Sequence, residues 1–199
     1  MRLSAEEISF GYQAGKTVLE NISFHIDSGE VVGLAGASGL GKSTLSKILA
    51  GYETPQQGRV LLDGKPIPAR GFQPVQLVFQ HPEKAVDPRW KMKKVLAESG
   101  QFPESELLEA MGIQPEWLER WPAELSGGEL QRFCVLRALS EKTKFLIADE
   151  MTAMLDAITQ AQIWHTVLNY VREHQMGLVV ISHEQELLDK LCNRVVQLA

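Results

Sequence analysis

Val31-Val32-Gly33-Leu34-Ala35-Gly36-Ala37-Ser38-Gly39-Leu40-Gly41-Lys42-Ser43-Thr44 joins a short apolar run to a glycine-spaced loop and then to a Lys-Ser-Thr helix start. The apolar run reads as a buried strand. Lys42 to Ala50 reads as a helix with Leu45, Ile48 and Leu49 on one face. Between them, Gly36 to Thr44 fits G-x-x-x-x-G-K-[ST]. Glycines permit unusual φ values and close backbone approach, so successive N–H groups can curl around phosphate oxygens. The loop feeds a helix N-terminus, which favours negative charge. Lys42 is placed to reach β- and γ-phosphates, and Ser43 to put a hydroxyl on Mg²⁺. A strand before the motif and a helix after it supply the context that separates a phosphate loop from a chance glycine-rich turn.

Outward from this stretch, the pattern repeats. Thr17 to Ile26, Arg59 to Leu62 and Val75 to Phe79 read as strands, with an Asp63-Gly64 turn after the second. Phe145-Leu146-Ile147-Ala148 and Leu178-Val179-Val180-Ile181 are further buried strands. Ile163, Trp164, Val167, Leu168 and Val171 form a helical stripe between them. Two-sided apolar strands alternating with amphipathic helices predict an α/β fold with a parallel sheet covered on both faces. Trp90 to Ala123 breaks this pattern with short helices punctuated by Pro103, Pro115 and Pro122, and reads as an inserted helical lobe.

The strand at 145–148 ends in Asp149 and Glu150. Carboxylates at the carboxyl end of a parallel strand face the ligand crevice. Asp149 is expected to hold Mg²⁺, directly or through water. Side chains alternate along a strand, so Glu150 points elsewhere and could polarise an attacking water.

The chain of 199 residues suits one domain with a core of its own. Hydrophobic residues make up 44% and charged residues 23%, an ordinary globular composition that argues against disorder. A formal net charge of −5 argues against nucleic acid as a partner. No apolar run is long enough to span a membrane, and Met1 to Phe10 lacks the apolar core of an export signal. Cys134 and Cys192 lie far apart and no Cys-x-x-Cys occurs, which suits a reduced, cytoplasmic setting. The 5 histidines show no pairing at metal-ligand spacing.

Leu125-Ser126-Gly127-Gly128-Glu129-Leu130-Gln131-Arg132 completes the pattern. With it, nearly the whole chain resembles the ATP-binding subunits of ABC transporters. The resemblance implies a P-loop NTPase fold of the ABC type: a mostly parallel core sheet, an N-terminal antiparallel β subdomain and an inserted helical subdomain. It implies one domain over 1–199, with the core and β subdomain in 1–80 and 126–199 and the helical subdomain near 81–125.

By the same resemblance, Tyr12 stacks on adenine, and Gly36, Ala37, Ser38, Gly39, Leu40, Gly41, Lys42, Ser43 and Thr44 bind the phosphates. Gln80, in Val78-Phe79-Gln80-His81-Pro82, matches the Q-loop and joins Ser43 and Asp149 at Mg²⁺. Glu150 is the catalytic glutamate, and His183, in Ile181-Ser182-His183-Glu184, supports the γ-phosphate. Leu155-Asp156 match the D-loop. Ser126-Gly127-Gly128 opens a helix, which makes it a second anion-binding helix start. Capping by Ser126 accounts equally for that serine. In the family this second element closes on the nucleotide of a partner subunit, so the expected partner is a second ATP-binding subunit, the same chain or another, arranged head to tail. Transmembrane permease subunits are implied directly and an extracytoplasmic solute-binding protein indirectly. The location implied is the cytoplasmic side of the cell membrane, peripherally attached.

Three departures stand out. The D-loop reads Met151-Thr152-Ala153-Met154-Leu155-Asp156, without the family's proline and serine. The helical lobe between Gln80 and Leu125 looks compact. The end at Val195-Val196-Gln197-Leu198-Ala199 implies a minimal form without a regulatory tail. Ala85-Val86-Asp87-Pro88-Arg89 resembles the Asn-Pro-Arg segment of peptide and nickel importer ATPases. The expected function is therefore ATP hydrolysis that energises solute import of that type. A soluble relative acting on ribosomes or DNA is the alternative, although tandem cassettes and basic patches are missing. A kinase or GTPase is a third reading. GTP readers of the common type need Asn-Lys-x-Asp, but Asn21, Asn169 and Asn193 are followed by Ile, Tyr and Arg.

Overall fold

In a computed structural model, residues 1–13, 15–68 and 70–198 are described. In chain order the regular elements are β1 (Arg2–Phe10), β2 (Leu19–Asp27), β3 (Val31–Ala35), α1 (Lys42–Leu49), β4 (Gln57–Leu62), β5 (Lys65–Pro66) and β6 (Val75–Val78). There follow α2 (Met92–Leu96), α3 (Ser105–Ala110), α4 (Gly127–Ala138), β7 (Phe145–Asp149), α5 (Ala157–Glu173), β8 (Gly177–Ile181), α6 (Gln185–Leu191) and β9 (Arg194–Gln197). The chain forms two compact units, one of 1–77, 143–149 and 175–199, the other of 78–142 and 150–174.

The first unit is built on sheets. Five strands run in the order β6-β7-β8-β3-β9, with β3 parallel to both β8 and β9 and β7 parallel to β8. Every residue of β7 and β8 is buried, as strands covered on both faces require. Within this unit α1 packs against β7 and α6 against β3. A second, antiparallel sheet has the order β2-β1-β4-β5. In β1 the buried residues are Leu3 and Ala5, then Ile8 and Phe10. The switch from odd to even positions falls where the register with β2 shifts and Glu7 takes φ 52°. An extra residue in one strand flips every later side chain to the other face, so the bulge keeps both pairs on the core side. The resemblance-based expectation of a parallel core sheet with an N-terminal antiparallel sheet is met.

The second unit is helical. Its core is α4, packed on α2 and on single-turn 3₁₀ helices at Pro82–Lys84 and Ala97–Ser99, while α3 packs on α5. Phe133, Val135 and Leu136 of α4 are fully buried, each stabilising by about 1.5–3 kcal/mol. Pro115 and Pro122 each open a 3₁₀ turn, where a missing N–H costs no hydrogen bond. Among the described residues, no helix is long and apolar enough to cross a membrane.

Candidate functional site

In the first unit, pairing fixes which strand ends are level. Asp149 stands opposite Ile181, and Leu34 stands opposite Ile181 from the other side. The loop after β3, the carboxylate ending β7 and the Ser182-His183 turn after β8 therefore leave one edge of the sheet. That is the carboxyl edge, where parallel sheets bind ligands.

The loop between β3 and α1 has a backbone that other residues could not adopt. Gly36 has φ 150° and Gly41, the residue before α1, has φ 91°. A Cβ on Gly41 would lie 2.6 Å from Leu19 Cδ2, and one on Gly36 would lie 2.9 Å from the Leu198 carbonyl oxygen. Gly36 demands glycine for space as well as for φ, and Gly41 demands it first for φ, since the end of the Leu19 side chain can shift. Ala37, Ser38, Gly39 and Leu40 are exposed at the loop's rim. Lys42 is buried, and its Nζ donates to the Gly36 carbonyl at 2.7 Å and the Ala37 carbonyl at 3.0 Å. The ammonium is thus held inside the loop. Ser43 is exposed on the first turn of α1, and Thr44 is buried. Tyr12, 54% exposed, sits edge-on to Phe10 at 4.9 Å, with its hydroxyl 3.4 Å from Thr44 Oγ1. An exposed ring held beside the loop's helix offers a face on which a base can stack.

Asp149 is buried at the end of β7. The helix carrying Ser43 packs against that strand. A hydroxyl and a carboxylate are the hard oxygen donors that suit Mg²⁺, which is usually held by one or two carboxylates plus substrate phosphates. Among the described residues there is no group of three or more His, Cys, Asp or Glu that could hold a metal ion. His183 is exposed two residues beyond β8; before it, the Ser182 hydroxyl accepts from the Glu184 N–H at 3.0 Å.

In the second unit, Glu150 takes φ 49°, the left-handed region that costs a non-glycine residue of order 1–3 kcal/mol. Its Oε2 accepts from Gln80 Nε2 at 2.9 Å. Two residues that lie 70 apart in sequence are thus brought together. Ser126 caps α4: its hydroxyl accepts from the Glu129 N–H at 3.3 Å, and its own N–H donates to Glu129 Oε2 at 2.8 Å. Ser126, the cap, and Gly127, the first residue of α4, are exposed. The Gly127 and Gly128 N–H groups lie in the first turn of α4, and a helix N-terminus is where anions are received.

The altered D-loop has its own internal bonding. Thr152 is buried and accepts from Gln160 Nε2 at 3.0 Å and Trp164 Nε1 at 3.1 Å. Asp156 caps α5, accepting from the Ile158 and Thr159 N–H groups at 3.1 and 3.0 Å. Those bonds, Thr159's first, hold its carboxyl below the usual carboxylate range. Met154 and Ile158 are exposed. In the 85–89 segment, Asp87 forms a two-pronged ion pair with Arg89, at 2.9 and 2.7 Å, which with the Arg89 N–H holds its carboxyl down at about 2. A cavity of about 590 Å³ in the same unit, lined by Phe102, Leu107, Leu136 and Tyr170 among others, contains none of the sequence-predicted site residues.

The chain matches the ABC transporter family model over residues 19–153. It is 35% identical over 204 residues to the nickel import ATP-binding protein NikE of Escherichia coli (strain K12), covering 94% of this chain and 76% of that protein. It is 33% identical over 206 residues to NikE of Rhodospirillum rubrum, covering 94% of this chain and 74% of that one. Among solved structures it superposes on cbiO1 from Clostridium perfringens, part of the ABC transporter complex cbiONQ, with a TM-score of 0.77 and 28% identity over 98% of this chain and 83% of that chain. A dimeric ATP-binding cassette in a post-hydrolysis state with ADP and Pi superposes with a TM-score of 0.83, covering 98% of this chain and 93% of that chain. At 23% identity, that second likeness speaks to fold alone. The family match and the relatives show that the chain belongs to the ABC transporter family, among its ATP-hydrolysing subunits.

Proposed function

We propose that this chain energises the import of nickel, as the ion or a complex, across the cell membrane from its cytoplasmic face. The observation that carries the solute is the 35% identity to a nickel import ATP-binding protein over 94% of the chain. The 85–89 segment, with its Pro88-Arg89, adds to it.

In this reading Lys42 and the loop N–H groups hold the β- and γ-phosphates, and Tyr12 carries the adenine. Ser43, Asp149 and Gln80 are the residues that would hold Mg²⁺, which would there neutralise phosphate charge. Glu150 orients and polarises the attacking water, and His183 donates to the γ-phosphate. The transition state spreads charge over the γ-phosphoryl oxygens, so positioned donors supply most of the catalysis. Ser126-Gly127-Gly128 closes on the nucleotide of a second cassette. The segment 81–125 acts as the inserted lobe that passes closure to membrane-spanning permease subunits, which receive solute from an extracytoplasmic binding protein. Coupling is a population shift between open and closed pairs, biased by the γ-phosphate.

The test is radioactive nickel accumulation in cells lacking this chain. Uptake falls, and the wild-type chain restores it while Lys42→Ala does not. Unchanged nickel uptake, with loss of peptide uptake instead, would overturn the solute assigned here.

A further inference from the structure

Within the second unit one buried amide does something that packing does not explain. Gln131 lies on the inner face of α4, 2% exposed, among the buried Leu130, Phe133 and Cys134. Its Nε2 donates to the Phe79 carbonyl at 3.3 Å. That acceptor fixes which way the amide points, because the reversed amide would set oxygen against oxygen. The other end, Oε1, is buried with no hydrogen-bond donor among the described residues. A buried amide satisfied at one end is a poor stabilising element, since the orphaned acceptor offsets the bond made at the other end. An apolar side chain of the same length would fill the space as well.

The value of the amide lies in what it holds. Phe79 is followed by Gln80, whose Nε2 donates to Glu150 Oε2 at 2.9 Å. Glu150 is itself set in left-handed backbone at φ 49°. The same helix that carries Gln131 begins at the capped Ser126. One chain of contacts therefore runs from α4 through Gln131, the Phe79 carbonyl and the Gln80 amide to the carboxylate.

We infer that Gln131 is a positioning residue for hydrolysis: it ties α4 to the 79–80 backbone and so fixes the Gln80 amide that aims Glu150. The inference rests on the reading of Glu150 as the group that orients water. It predicts that the position of the Ser-Gly-Gly helix reaches the carboxylate through a side chain that touches neither nucleotide nor water.

The experiment is steady-state ATP hydrolysis by the assembled transporter carrying Gln131→Met, with thermal unfolding of the same chain. Methionine keeps the length and removes both amide groups. The expected result is a fall in kcat of about 10- to 100-fold, KM within about twofold, and a Tm equal to or above wild type because the orphaned Oε1 is gone. Gln131→Glu keeps the shape and turns a carboxyl oxygen toward the Phe79 carbonyl, and should lose kcat similarly. Added to Gln80→Leu, Gln131→Met should cost nothing further, since both act on the same carboxylate. Wild-type kcat in Gln131→Met, beside an inactive Glu150→Gln, overturns this inference alone. A kcat loss that multiplies with Gln80→Leu and comes with a lowered Tm assigns Gln131 to packing and overturns it too. Full turnover by Glu150→Gln removes the carboxylate's role, and this inference with it.

Discussion

Lys42 directs two N–H donors at the carbonyls of Gly36 and Ala37. The cation is therefore preorganised within the loop. Lys42→Ala should abolish measurable ATP binding by equilibrium dialysis while leaving the fold intact by circular dichroism. Asp87 offers a cleaner electrostatic test. Its carboxyl is held at about 2 against an ordinary 3.8, chiefly by Arg89. A folded-state value below the unfolded one stabilises above pH 3.8 and loses that contribution as pH falls through about 2. An NMR titration should place the Asp87 midpoint near 2 in the wild type and higher in Arg89→Gln, but short of 3.8 because the backbone N–H at position 89 still donates to it. A midpoint unmoved by that substitution would break the pairing described here. At this scale the sequence was informative wherever a residue sits in a spaced motif, as Lys42 and Asp149 do. Gln131 stands in the Leu125–Arg132 string, but its spacing does not show that its amide is buried, because burial of an amide inside a helix is a tertiary fact. Its neighbours Leu130, Phe133 and Cys134 on an apolar face are the local sign of that burial.

α4 and α5 are the elements whose starts matter most, and each has a side-chain cap. Ser126→Ala removes a capping box and should cost about 1 kcal/mol, read as a fall in Tm of about 2–4 °C. Asp156→Ala removes two N–H acceptors at α5 and should lower Tm by a similar few degrees. The strands at 31–35, 145–149 and 177–181 were readable from apolar runs because both faces are buried. β1 was harder, because the bulge at Glu7 breaks the period-2 pattern that marks a strand. α6, at 7 residues, is too short to show a periodic stripe. β9 is the end strand of its sheet, paired with β3, and its residues are not fully buried, so its apolar signal is weak.

For the whole molecule, the phosphate loop and the acidic strand end suffice for a nucleotide-binding α/β fold, and the Ser-Gly-Gly helix start narrows it to one family. The antiparallel sheet was expected from family likeness and not from periodicity. What sequence spacing could not reveal was the joining of distant segments, Gln80 with Glu150 above all, since a 2.9 Å contact across 70 residues depends on the finished fold. The altered D-loop is internally consistent, because Thr152 holds the side chains of Gln160 and Trp164 while Met154 stays exposed. The account as a whole stands on a carboxylate that acts on water after ATP is already bound. The decisive measurement is ATP binding and phosphate release by the assembled transporter with Glu150→Gln. Nucleotide affinity should stay within about twofold while turnover falls at least about 100-fold. Turnover equal to wild type would contradict the account.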